Sequence, residues 1–123
     1  MNLELRQELA KKQCLNLPKG SPSLPTAEVA RLLEAVPDWK VSGKGIEREY
    51  KLPSYLSGVR LFSQLAEIAD REDHHPDALI RWRRVKLSLW THTADGLSEN
   101  DFILAAKFEA AFESFLREEA AGS

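Results

Sequence analysis

Residues 70–92 read DREDHHPDALIRWRRVKLSLWTH, and this stretch carries signals for a helix and for two strands. From Val85 onward apolar and polar residues alternate strictly, which indicates a strand with one buried face. An apolar run at 78–82 precedes it, and a tight turn at 83–84 would join the two runs as a β-hairpin. Pro76 forbids the continuation of a helix, because proline removes a backbone donor. The stretch therefore predicts a helix followed by a hairpin.

The sequence on either side extends this arrangement into a complete domain. The predicted elements are a helix at 27–36 capped by Thr26 and ended by Pro37, strands at 39–41 and 46–52, a helix at 55–73 capped by Ser54, the hairpin, and a helix at 99–119 opened by Ser98. The order is α-β-β-α-β-β-α. The simplest packing is an α+β fold in which a four-stranded antiparallel sheet carries three main helices on one face.

Residues 1–25 are predicted to be an N-terminal extension. The segment MNLELRQELAKK can form a short helix, whereas residues 17–25 contain three prolines and a glycine and are expected to be irregular. We expect the irregular part to lie along the surface of the folded part. The domain itself is then expected to span 26–123.

Composition excludes several classes of protein. The chain has 123 residues, enough for one domain, and a net charge of -2, which argues against a general nucleic-acid binder. Its one cysteine, Cys14, permits no intramolecular disulfide, and one cysteine with three histidines matches no familiar zinc site. No apolar run approaches the roughly 20 residues that span a bilayer, and the N-terminus lacks a signal-peptide pattern. We expect a cytoplasmic protein with no nucleic-acid or membrane partner.

Two of the three histidines, His74 and His75, are adjacent at the end of the predicted helix. Asp70 precedes His74 by four residues, so the two side chains would share a helical face and contact each other. A histidine at a helix C-terminus also simply complements the helix dipole, and this alternative stays open. The third histidine, His92, ends the alternating strand, which is a common place for functional side chains.

Asp101 follows Ser98 by three residues, the spacing of a capping box in which a carboxylate bonds the amide of the cap residue. Capping and a role in a site are both open for it. The sequence contains no serine-nucleophile, phosphate-loop or dinucleotide-binding motif. Acid/base chemistry by histidine without a metal is what remains if the protein is an enzyme.

The chain resembles the pterin-4a-carbinolamine dehydratases, whose signature has these residue types at these spacings: Asp70-x3-His74-His75-Pro76-x5-Trp82-x9-His92-x8-Asp101. The similarity covers about residues 26–117. It implies the α+β fold and a dehydration that uses neither a metal nor another cofactor. Water would leave a 4a-hydroxytetrahydropterin and give the quinonoid dihydropterin for recycling after aromatic amino-acid hydroxylation. The resemblance also implies a homodimer or a homotetramer.

Position by position, the resemblance implies roles for individual residues. His74 and His92 would be the acid/base pair at the 4a-hydroxyl, and His75 would bind and orient the pterin. Asp70 would support the histidines, and Asp101 would assist from the start of the last helix. The other residues implied in substrate binding are Asp73, Pro76, Trp90 and Thr91.

Three features depart from the better-known dehydratases. Trp90 stands where they have serine or threonine, and Asp70 replaces a longer glutamate. The segment from Cys14 to Pro25 resembles an extension of a plant and bacterial branch, some members of which act as RuBisCO assembly factors in chloroplasts or α-carboxysomes. The alternative function is therefore a catalytically silent assembly factor that binds RuBisCO subunits and is associated with carboxysomes. Nothing in the sequence selects the homeodomain-protein partnership of the animal members.

Overall fold

One antiparallel sheet organises the structure, a computed structural model that describes residues 1–122. The elements in chain order are α1 (Leu3–Lys11), α2 (Thr26–Leu33), β1 (Lys40–Ser42), β2 (Gly45–Lys51), α3 (Tyr55–Glu72), β3 (Asp77–Arg81), β4 (Arg84–Leu89), a 3₁₀ turn at His92–Ala94, and α4 (Glu99–Ala121). The strands lie in the spatial order β1-β2-β4-β3, so β1 and β3 are the edges. The predicted α+β class and four-stranded antiparallel sheet are confirmed, and α1 is a fourth helix.

The alternating strand of the opening stretch, β4, lies inside the sheet. It pairs with β2 on one side and with β3 on the other. Its residues Val85, Leu87 and Leu89 are fully buried, whereas Lys86 and Ser88 between them are half-buried. The period of two in the sequence therefore corresponds to one face covered by helices and one face turned away from them.

The hairpin turn lies one residue earlier than predicted. Arg81 pairs with Arg84, so the two turn residues are Trp82 and Arg83. The strand begins at Arg84 because that residue also pairs with Lys51 at the end of β2. Pairing on both sides thus starts β4 one residue before Val85, where the alternation that predicted the strand begins.

Helix α3 packs on β3 and β4, and α4 packs on α3. Burial of each large apolar side chain between these layers contributes roughly 1.5–3 kcal/mol. The fully buried side chains of this core include Leu61, Leu65, Val85, Leu87, Leu89, Phe102, Leu104 and Phe108. Although α4 runs over 23 residues, neither it nor any other described helix is long and apolar enough to cross a membrane.

Two of the three predicted helix caps are confirmed. Ser54 and Ser98 each accept an amide hydrogen bond from the first turn of their helices, and Asp101 completes the capping box of α4. The third prediction is wrong, because Thr26 is the first residue inside α2. Pro25 takes the extended position before the helix, and its side chain has no acceptor with which to cap it.

Helix α2 ends at Leu33, earlier than the predicted residue 36. The amides of Ala35 and Val36 bond carbonyls three residues earlier, at 3.1 and 3.0 Å. These shorter-range bonds indicate that the last part of the predicted helix tightens into 3₁₀-type turns before Pro37.

The N-terminal helix contributes to the same core. Leu5 and Leu9 of α1 are buried with the other core residues. Between them Arg6 is also buried; its Nε donates to the Ala35 carbonyl at 2.9 Å, and its Nη1 lies 2.9 Å from a carboxylate oxygen of Glu113. The extension therefore begins with a helix that is docked by apolar burial and by two polar contacts.

Candidate active site

The end of α3 determines where the two adjacent histidines lie. The helix ends at Glu72, and Asp73 has a left-handed backbone conformation with φ 50° and ψ 41°, which aspartate tolerates better than most residues. The His74 amide still donates to the Ala69 carbonyl at 3.2 Å, although His74 is outside the helix. Both His74 and His75 therefore belong to the irregular segment between α3 and β3.

The predicted contact between Asp70 and His74 is wrong. It assumed that the helix continues through His74, whereas the left-handed residue before it changes the direction of the chain. Asp70 instead lies beside His75, with 3.2 Å between Oδ1 and Nε2. Both of these side chains are largely exposed, so this contact is a weak surface pair.

His74 contacts a different carboxylate, that of Asp101. Nε2 of His74 lies 2.6 Å from Oδ1 of Asp101, which is completely buried in the first turn of α4. The other carboxylate oxygen, Oδ2, accepts the Ser98 amide and the Thr91 hydroxyl, both at 2.9 Å. Asp101 therefore completes the capping box of α4 and contacts His74 at the same time, so the capping prediction is confirmed, while its role in a site stays a prediction.

These hydrogen bonds determine which nitrogen of His74 is free. An ionised carboxylate only accepts hydrogen bonds, so Nε2 of His74 carries the proton that faces Asp101. Among the described residues, Nδ1 of His74 has no hydrogen-bond partner. Nδ1 is therefore the nitrogen that can exchange a proton with a ligand.

The third histidine, His92, is held by ring packing. After β4 ends, Thr91 is buried while Trp90 and His92 are more accessible, as the alternation predicts. The ring centroids of Trp90 and His92 lie 3.8 Å apart at an angle of 36°. Within residues 1–122 the His92 ring makes no hydrogen bond. Its position therefore depends on the indole and on the 3₁₀ turn that begins with it.

Lys44, directly before β2, and Gly45, its first residue, lie near Trp90. Nζ of Lys44 lies 5.7 Å from the indole centroid, within the range of a cation–π contact. A Cβ atom at Gly45 would come within 2.3 Å of the Leu89 carbonyl oxygen and 3.1 Å of the Trp90 Cβ. Glycine at this position therefore allows β2 and the end of β4 to approach closely beside the indole.

One cavity of about 420 Å³ collects most of the predicted residues. This volume lies within the usual range for small-ligand sites. The predicted residues that line it are Asp73, His74, His75, Trp90, Thr91 and His92. Of the other predicted site residues, Asp70 and Pro76 do not line it, and Asp101 lies behind His74.

The cavity has a further wall that was not predicted. Residues 13–17, hereafter the strap, lie beside it, and Cys14 to Leu17 line it together with Glu72 and Asn100. Burial, with a further contribution from the Glu72 carboxylate, raises the pKa of the Cys14 thiol to about 12. No local pattern indicates this wall, because its hydrogen bonds join residues 58 to 86 positions apart.

The arrangement is suited to proton transfer. His74 and His92 line the same cavity, so one imidazole can take a proton from a small ligand while the other gives one. Within residues 1–122 no group of three or more histidine, cysteine, aspartate or glutamate side chains is placed to hold a metal ion.

Comparison with known proteins identifies relatives of the whole domain. The sequence model of the family described as "Pterin 4 alpha carbinolamine dehydratase" matches residues 22–111. A protein of Alkaliphilus metalliredigens named "Putative pterin-4-alpha-carbinolamine dehydratase" is 38% identical over 103 residues, which are 82% of this chain and 93% of the relative. A Rickettsia canadensis protein of the same name is 38% identical over 104 residues, 83% of this chain and 95% of the relative.

A solved structure also resembles this one. The crystal structure of a transcriptional coactivator/pterin dehydratase from Brucella melitensis superimposes with a TM-score of 0.68 at 31% sequence identity. The superposition covers 72% of this chain and 97% of that chain. Helix α1 and the strap precede the first residue of the family match.

Proposed function

We propose, because the chain belongs to the pterin-4a-carbinolamine dehydratase family, that it removes water from a 4a-hydroxytetrahydropterin and gives the quinonoid dihydropterin. The observation that carries this proposal is His74, held through Nε2 by a buried carboxylate and free at Nδ1, beside a cavity that His92 also lines. Two imidazoles at one cavity are what a proton-coupled elimination requires.

His74 acts as the base in this proposal. Its Nδ1 takes the proton from the ring nitrogen next to C4a, and the electron pair of that N–H bond forms the new C–N double bond. The Asp101 carboxylate, 2.6 Å from Nε2, stabilises the imidazolium that results. Asp101 is completely buried and does not line the cavity, so it is a positioning residue and does not touch the ligand.

His92 acts as the acid. Its proton goes to the 4a-hydroxyl as the C–O bond breaks, so that the leaving group is water. After each turnover the exposed His92 takes up a proton from solvent, and His74 releases to solvent the proton that its Nδ1 accepted. The indole of Trp90, packed against the ring, keeps the imidazole at the cavity.

The other predicted residues act less directly. Thr91 donates to Asp101, so it supports His74 and is not free to bind a ligand through its hydroxyl proton. Asp70 lies beside His75 in an exposed pair, so its support for the proposed pterin-binding ring is weak. Asp73 lines the cavity and remains a candidate contact for the ligand.

The test is an assay with chemically generated 4a-hydroxytetrahydropterin, followed by the absorbance of the quinonoid product. We expect a rate above the spontaneous dehydration that rises in proportion to the protein concentration. A rate equal to the spontaneous one at all protein concentrations would overturn the proposal.

A second candidate function is the catalytically silent assembly factor. The observation that favours it is Trp90, whose indole lies 3.8 Å from the His92 centroid and covers part of a ring that the reaction needs. In this case the protein would bind RuBisCO subunits, and co-expression with them would raise the yield of assembled holoenzyme. An unchanged yield, together with a positive dehydration assay, would eliminate this candidate.

We also propose a homodimer or a homotetramer. The edge strand β3 presents the exposed Leu79, and an unpaired edge of this kind can pair with a second copy. Light scattering should then give a mass of two or four times 13.9 kDa, whereas the mass of one chain would contradict the proposal.

A further inference from the structure

The strap, residues 13–17, connects α1 to the first proline of the extension and forms one wall of the cavity. Its backbone runs from Lys12, which has an extended conformation after α1. The family match begins only at residue 22, so the strap is a feature of this chain that the matched region does not contain.

Asn100 holds the strap through both functions of its side-chain amide. Oδ1 of Asn100 accepts the Leu15 amide at 2.9 Å, and Nδ2 donates to the Leu15 carbonyl at 2.8 Å. The side-chain amide thus bonds both the N–H and the C=O of Leu15, as the backbone of a neighbouring β-strand would. Only 6% of Asn100 is exposed, so its amide is committed to these two bonds.

Cys14 and Gly20 provide further anchors. The Cys14 amide donates to Oε1 of Glu72 at 2.7 Å, and its thiol donates to the Asn100 carbonyl at 3.6 Å. Beyond the strap, the Gly20 amide donates to the Thr93 carbonyl at 2.9 Å. Between these anchors Asn16 and Leu17 line the cavity and make no hydrogen bond to other described residues.

The anchors of the strap coincide with the supports of His74. Asn100 and Asp101 are neighbours in the first turn of α4; one holds the strap and the other holds the imidazole. Glu72 is likewise the last residue of α3, directly before the segment that carries Asp73 and His74. The position of the strap relative to the base is therefore fixed by two helix ends.

Asn16 offers unused hydrogen-bonding groups at the cavity. Its side-chain amide has one donor group and one acceptor, and among the described residues it has no partner. A pterin presents a 2-amino group, an N3–H donor and a 4-oxo acceptor along one edge of its pyrimidinone ring. An amide that both donates and accepts is complementary to such an edge.

We propose that the strap is part of the ligand site, that Asn16 bonds the pyrimidinone edge of the pterin, and that Asn100 is the residue that positions it. This inference rests on the proposed function for the identity of the ligand. The contact is made in the bound substrate and in the transition state alike, so it affects KM and leaves kcat nearly unchanged.

The first experiment measures steady-state dehydration by the full chain and by three variants. Asn16→Ala and Asn100→Ala should each raise KM by about 3- to 10-fold, the usual effect of one or two lost hydrogen bonds, with kcat changed less than twofold. Gln13→Ala is the matched control, because Gln13 is exposed in the same strap and does not line the cavity. Unchanged KM in both test variants would overturn the inference and leave the proposed function intact.

The second experiment uses Cys14 as a reporter and needs no turnover. Because its pKa is raised to about 12, the thiol of the folded chain should react slowly with iodoacetamide at pH 8. A stable 7,8-dihydropterin should slow the alkylation further, whereas Asn100→Ala should accelerate it about 10-fold, as measured by mass spectrometry. Alkylation of the wild-type chain that is insensitive to the dihydropterin would overturn the inference.

The two experiments separate the two possible failures. The wild-type chain can fail to accelerate dehydration while the dihydropterin still protects its Cys14. That result contradicts the proposed reaction and supports the strap as a pterin-binding element. If Asn100→Ala unfolds, its thermal transition will show this. Asn16→Ala, which changes an exposed side chain, then still decides the outcome.

Discussion

His74 and His92 reach the same cavity but are held in different ways. His74 is bonded to a completely buried carboxylate, which is itself bonded to a hydroxyl and to an amide at the start of α4. His92 is exposed, and its ring contact is the indole of Trp90. The first histidine is fixed by a hydrogen-bonded network and the second by packing with one neighbour.

This difference has a chemical consequence. Hydrogen bonds select a tautomer as well as a position, so His74 has a defined free nitrogen. Ring packing selects a position alone, so both nitrogens of His92 remain available to solvent and ligand. The hydrogen-bonded arrangement of His74 suits a base that must accept a proton at one defined atom. The accessible ring of His92 suits an acid that must take up a new proton from water.

Replacement of the histidines is the largest test of this comparison. His74→Ala should lower kcat by about 10²- to 10⁴-fold, because it removes a positioned base. His92→Ala should lower it less, since water can deliver a proton at an exposed position. The measurement is kcat in the dehydration assay with and without added imidazole, which can replace a missing side chain at an exposed site.

The same experiment contains its control and its contrary outcome. His75→Gln changes the exposed neighbour of His74 and should raise KM while kcat stays within a few-fold. Imidazole should rescue His92→Ala and not His74→Ala, whose side chain is only 14% exposed. Equal losses and equal rescue for the two alanine variants would contradict the division into a networked base and an accessible acid.

Asp101→Asn tests the network behind His74. An asparagine keeps one acceptor for the Ser98 amide, but it turns a donor toward Nε2 and so reverses the tautomer of His74. We expect kcat to fall by about 10- to 100-fold, the usual cost of losing the hydrogen-bond partner that orients a functional side chain. We also expect the acidic limb of the pH–rate profile, which reports protonation of the catalytic base, to change.

A stability measurement separates this effect from helix capping. The altered cap should lower the free energy of unfolding by no more than about 1 kcal/mol, as measured by urea denaturation. Glu99→Gln, in the same turn of α4, is the matched control, because the ion pair of Glu99 with Lys12 is exposed. An unchanged pH profile in Asp101→Asn would show that the carboxylate acts on the helix alone.

The sequence predicted the features that depend on residues close to one another along the chain. The strand period of β4, the capping box of Ser98 and Asp101, and the end of α3 before Pro76 are local, and all were predicted to within a few residues. The partner of His74 was assigned incorrectly, because the left-handed Asp73 carries the chain out of the helix just before it.

The strap was not predicted for a different reason. Its anchors join residues 58 to 86 positions apart, and each anchor uses an ordinary residue whose type indicates nothing. Asn100 at the start of a helix is indistinguishable in sequence from a solvated polar residue. Contacts of this kind depend on how α1 docks against α4, which composition and periodicity do not determine.

Trp90 gives the smallest expected effect and the sharpest distinction between the two candidate functions. In the dehydratase the indole holds His92 at the cavity, so Trp90→Ser should lower kcat about 3- to 10-fold, and Trp90→Phe should retain most of the activity because a phenyl ring can still pack on the imidazole. The measurement is kcat for the three proteins at saturating substrate. A rise in kcat for Trp90→Ser would mean that the indole obstructs His92, and it would favour the assembly factor, in which a covered histidine has no cost. The close approach of the strands at Gly45 involves the Leu89 carbonyl and the Cβ of residue 90, both of which Trp90→Ser keeps, so the change in rate reports on His92 and not on the fold.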